Sequence, residues 1–106
     1  MKTWTLAIAT TLCLITESGQ AQTMFGGPDC GAWLKQERDI DKSWFLGYLS
    51  GLNVRHDLAN LKPRNPLGKL DSADQAFVWM DNFCKANPLR KVATGGYELL
   101  EELGRK

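Results

Sequence analysis

Two cysteines, Cys30 and Cys84, follow a segment with the features of an export signal, and together they constrain the fold more than any other feature of the chain. Lys2 gives the positive start, and Trp4 to Ile15 forms a 12-residue stretch without charge. Ser18-Gly19-Gln20-Ala21 then places small residues at the −3 and −1 positions of a cleavage after Ala21. The expected organisation is therefore a signal peptide over residues 1–21 and a single exported domain over 22–106. In an oxidising compartment, two remaining cysteines have one intramolecular pairing open to them, Cys30 with Cys84. The third, Cys13, lies inside the apolar stretch and leaves with the signal peptide; Leu12 before it does not suit a lipidation signal.

Removal of residues 1–21 leaves 85 of the 106 residues, enough for one small domain whose core alone gives marginal stability. A bridge closing a loop of about 55 residues contributes roughly 4 kcal/mol in the chain-entropy model, comparable with the net stability of many small domains. No apolar run reaches the roughly 20 residues of a membrane-spanning helix. Leaving out Lys2 and Glu17, the 13 basic and 12 acidic residues become 12 and 11, mixed along the chain. Such a balance carries no electrostatic footprint for nucleic acid or an anionic membrane.

Helical periodicity dominates the exported part. Residues 22–28 read as a flexible lead-in, and a short helix is expected from about Asp29 to Arg38 with Trp33 and Leu34 inward. Asp39 to Lys42 reads as a polar break. A second helix, from about Ser43 to Asn60, places Phe45, Leu49, Leu52 and His56 on one face. Gly47 and Gly51 form a notch there, with two readings: close packing inside the monomer, or a dimer seam. Residues 61–71, with two prolines and a glycine, are expected to be an irregular loop.

Ser72-Ala73-Asp74-Gln75 fits a capping box opening a third helix with Phe77, Met80 and Cys84 inward, beside Ala76 and Phe83. Asn87-Pro88 is expected to close that helix and open the fourth. The fourth carries Val92, Gly96, Leu99, Leu100 and Leu103 at helical spacing, a kink at Gly95-Gly96 and a stop at Gly104. The expected fold is all-α: a small bundle of three to four helices tied by one disulfide.

Convergent catalytic groups are scarce. His56, the sole histidine, reads as a polar residue near a helix end rather than a general base or metal ligand. A zinc site needs three or four ligands, and a cysteine nucleophile needs a free thiolate. The carboxylates read as surface charges, and no phosphate-cradling glycine loop is present. The expectation is a protein without enzymatic activity, cofactor or metal. Aromatic residues are the other signal. Most belong in a core, whereas Trp44, Tyr48 and Trp79 are candidate anchors for another protein, the partner being a client, a single partner or a second copy of the chain.

Three segments occur in an order that resembles a known family. They are Cys30-Gly31-Ala32-Trp33-Leu34, then Trp44-Phe45-Leu46-Gly47-Tyr48-Leu49-Ser50-Gly51, and Phe83-Cys84-Lys85-Ala86-Asn87-Pro88 before an apolar helix. The order resembles the HdeA/HdeB-like family of small periplasmic acid-stress chaperones, across most of residues 29–103. That resemblance implies a helical fold, the Cys30–Cys84 bridge, the periplasm, and binding of unfolded proteins at low pH; it implies no catalytic residue. The glycine-aromatic-x-x-glycine helix and the Asn-Pro element are also similar to the Rap/Tai-type immunity proteins of secretion systems, which neutralise one toxin. The start at Cys30 fits the first pattern better. An accessory subunit of an envelope complex is a third reading.

Overall fold

The computed structural model describes residues 24–106, so the expected leader over 1–21 lies outside the described residues. Asp29 leaves an extended backbone, and its carboxylate accepts the Ala32 amide at 2.7 Å, which starts α1 (Cys30–Lys35). This helix stops three residues sooner than the sequence suggests. Gln36 adopts a left-handed conformation (φ 53°) and donates its amide to the Trp33 carbonyl, closing the last turn.

The expected polar break at Asp39–Lys42 is absent, because those residues form the first turn of α2 (Asp39–Leu58). Asp39 and Asp41 lie where free amides and the helix dipole favour negative charge. Asp41 is buried, 3.7 Å from Arg38 Nε. The face anticipated for this helix is the one turned inward: Phe45 and Leu49 are buried, and Leu52 and His56 half-buried.

Residues 61–71 are also more ordered than two prolines and a glycine suggest. Pro66–Lys69 makes a 3-10 turn with Pro66 buried. Asn53 holds this segment from α2, its carbonyl oxygen accepting the Leu67 amide and its amide nitrogen donating to Asn65. From the same turn, Lys69 donates to the Leu103 and Lys106 carbonyls at the C-terminal end of the last helix, where a cation suits the dipole. Side chains dispersed in sequence tie this segment down, and no local pattern reveals them.

α3 (Ala73–Ala86) begins at Ser72, whose hydroxyl accepts the Gln75 amide at 3.4 Å. The reciprocal bond shifts by one residue: Gln75 Oε1 accepts from the Asp71 amide instead of that of Ser72. Asn87 closes α3 by donating its side-chain amide to the Phe83 carbonyl. It does not open the next helix. Residues 88–90 turn, with the Arg90 amide bonded to Asn87, and Lys91 makes an isolated antiparallel bridge with Asp29. That bridge occupies the backbone just before α4 (Val92–Arg105) and delays its start.

α4 runs unbroken through Gly95 and Gly96, against the expected kink, and continues past Gly104 to Arg105. Both glycines are buried contact points. A Cβ on Gly95 would lie 2.7 Å from Met80 Cε and from Phe83 Cδ1; one on Gly96 would lie 2.9 Å from the Tyr48 ring. Their absent side chains let α4 sit tightly on α3 and α2 at once. Val92, Leu99, Leu100 and Leu103 complete the core with Phe45, Leu49, Met80 and Phe83.

The fold is all-α, four helices among the described residues, with the Cys30–Cys84 disulfide joining α1 to α3. Trp33 reinforces that junction. It meets Phe45 edge-on at 5.2 Å and Phe77 at 6.2 Å, and its indole donates to Asp81 at 2.7 Å. No described helix is long and apolar enough to cross a membrane.

Candidate functional site

On α2, Trp44 and Tyr48 stand four residues apart, so their rings share one side of the helix and stack at 5.0 Å, 9° from parallel. Tyr48 reaches inward to Gly96 of α4, and this burial, with Tyr97 nearby as the lesser cause, raises its phenol above the ordinary tyrosine pKa. Trp44 faces outward and is covered by the lead-in to α1. Its indole donates to the Phe25 carbonyl at 2.8 Å. Gly26 and Gly27 cross the ring so closely that a Cβ would stand 3.3 and 2.9 Å from it. Residues 24–28 are thus a fitted cover, where the sequence suggests a free lead-in.

Trp79, the third candidate anchor, belongs to a separate arrangement. It stacks on Phe83 at 5.5 Å and 10°, and its indole donates to Glu102 of α4. Gly96 receives the Tyr48 ring and Gly95 the Phe83 ring, so α4 holds the two stacks on different sides. Trp44 and Tyr48 are brought together, and Trp79 is not with them. All three are at least partly buried.

The notch at Gly47 and Gly51 is open. A Cβ at either position meets nothing within 4 Å, so close packing inside the monomer is ruled out by the geometry. The same outer side of α2 carries Ile40, Val54 and Leu58, exposed by 63%, 53% and 80%. These positions repeat at helical spacing with Trp44, Gly47 and Gly51 between them, and no charged residue occurs from Ser43 to Val54. Sequence reasoning missed this exposed apolar side because it sought one periodic face per helix, and α2 has two.

Other polar groups are used structurally. His56 Nδ1 lies 3.3 Å from the Pro63 carbonyl, tying the 61–71 segment to α2. Among the described residues, no three His, Cys, Asp or Glu side chains gather with metal-ligand geometry. Two of the three described indoles are held by carboxylates, Trp33 by Asp81 and Trp79 by Glu102. Comparison with known proteins returns no matching family model, no matching curated protein and no matching solved structure.

Proposed function

We propose that this is a non-enzymatic, exported protein-binding protein that acts in the periplasm as an acid-stress chaperone of the HdeA/HdeB type. The observation that carries the reading is the mooring of two indoles, Trp33 and Trp79, to Asp81 and Glu102. A hydrogen bond to a charged acceptor contributes about 1.5–3 kcal/mol, against about 0.5–1.5 for a neutral pair. In strong acid the 12 basic groups of residues 22–106 lose their 11 counter-charges. Helix-held aromatic surface is released while the covalent Cys30–Cys84 tie persists, which suits transient holding of unfolded chains.

The second reading, a Rap/Tai-type immunity protein, draws on a different observation. The glycine-aromatic-x-x-glycine segment lies on the surface with Gly47 and Gly51 uncovered, as a docking helix for one fixed partner requires. Capture from periplasmic extract with the oxidised protein, at neutral pH and near pH 3, separates the two. Many partners retained only in acid, together with suppressed aggregation of an acid-unfolded model protein, support the chaperone. One stoichiometric partner at neutral pH supports the immunity protein or an accessory subunit and overturns the chaperone.

A further inference from the structure

The cover over Trp44 has the construction of a releasable strap. Pro28 is its fixed end: it is buried, and its carbonyl accepts the Val92 amide at 3.2 Å, next to the bond from the Cys30 amide to Arg90. Upstream of Pro28, one hydrogen bond joins the strap to the rest of the described residues, from the Trp44 indole to the Phe25 carbonyl. The strap gives the ring a carbonyl and two glycines, and withholds its own aromatic side chain: Phe25 is 86% exposed. Gly26 holds φ +79°, which turns the chain across the indole and which other residues rarely adopt.

Beneath the strap the aromatic surface is fixed in place. Trp44 is stacked on Tyr48, Tyr48 is fixed against Gly96, and the uncharged side of α2 continues past Gly47 and Gly51. Among the described residues, 24–27 have one hydrogen bond to the rest of the fold and no buried apolar side chain, and such a segment opens locally without global unfolding.

We propose that residues 24–28 are an autoinhibitory strap that occupies a peptide-binding platform formed by Trp44 and Tyr48. The displacing ligand is an extended apolar segment of another protein, offering what the strap offers: a backbone carbonyl to the indole N–H and small residues to the ring. The inference rests on the protein-binding reading and names where binding occurs and how it is held in check.

Three indole N–H groups, those of Trp33, Trp44 and Trp79, serve as reporters in a nitrogen-15 labelled sample, since all three are hydrogen-bonded to different acceptors. In the unaltered protein at neutral pH, strap opening makes Trp44 exchange with solvent at least tenfold faster than Trp33 and Trp79. Equal rates for the three overturn the strap. The double substitution Gly26→Val and Gly27→Val places side chains where the ring leaves no room and one backbone conformation disfavours them. It is expected to speed Trp44 exchange at least tenfold further and to raise apolar-dye binding severalfold, with the Trp33 and Trp79 rates unchanged. A Trp44 indole that stays protected, or one that is freed without added dye binding, contradicts the proposal. Should all three rates rise together because the variant loosens throughout, the comparison in the unaltered protein decides. A reduced, carboxymethylated model protein separates this inference from the chaperone reading. If the variant gains dye binding at neutral pH but holds no such client, the extended-chain platform is overturned; if it holds the client at neutral pH while the unaltered protein holds none in acid, the strap stands and the chaperone falls.

Discussion

Glycine has opposite meanings at two pairs of positions four and one residues apart. Gly95 and Gly96 are buried where neighbouring side chains would collide with any Cβ, whereas Gly47 and Gly51 face open space. Gly95→Ala therefore gains about 1 kcal/mol of helix propensity and loses about 1–3 kcal/mol to overpacking against Met80 and Phe83. A net loss of about 1 kcal/mol is expected in urea unfolding. Gly51→Ala carries the propensity gain alone, so its unfolding midpoint should rise by the equivalent of about 0.5–1 kcal/mol. A loss at Gly51 would show that something covers this side of α2 in solution. Tyr48 gives a pH signature at the same scale. Its raised pKa means that the folded state keeps the phenol proton while the unfolded chain releases it near the ordinary value of 10.0. The contribution to stability is complete below that value and is lost as pH rises through the folded pKa. Urea midpoints measured from pH 8 to 11.5 should fall less steeply for Tyr48→Phe than for the parent protein.

At the scale of elements, the legible parts of the sequence were those with a local cause, or, for the cysteines, with one pairing open. The Ser72 cap, the inner faces of α2, α3 and α4, and the cysteine pair follow from spacing and residue type, and the structure contains each of them. Ser72→Ala should accordingly lower stability by about 1 kcal/mol, read from thermal or urea unfolding. An unchanged midpoint would mean that the Asp71–Gln75 bond alone holds the start of α3. The illegible parts have causes distant in sequence. Asn87-Pro88 has the chemistry of a helix start, yet the Asp29–Lys91 bridge fixes the backbone so that α4 begins later. The 61–71 segment is ordered by Asn53, His56 and the end of α4, acceptors and donors that no loop pattern discloses. Of the candidate site, the pairing of Trp44 with Tyr48 was legible from their spacing. The strap over them was not, because two glycines beside a proline read as freedom until the indole beneath is seen.

For the whole molecule, four short helices depend on a few ties of different chemistry. The Cys30–Cys84 bond is the covalent one, and its removal in a Cys30→Ser, Cys84→Ser variant should lower stability by about 4 kcal/mol, enough to unfold much of the population at 37 °C. The remaining ties include indole–carboxylate bonds from α1 to α3 and from α3 to α4. On the proposed chaperone reading, acid exposes aromatic surface on a chain still stapled by its disulfide. Its most direct test is a titration of the oxidised protein from pH 7 to pH 2, followed by near-UV circular dichroism and apolar-dye binding on the same samples. Loss of the near-UV signal and a rise in dye binding are expected together, from about pH 4 downward where carboxylates ordinarily gain protons. A protein that keeps its near-UV signal and stays dye-silent at pH 2 would contradict it.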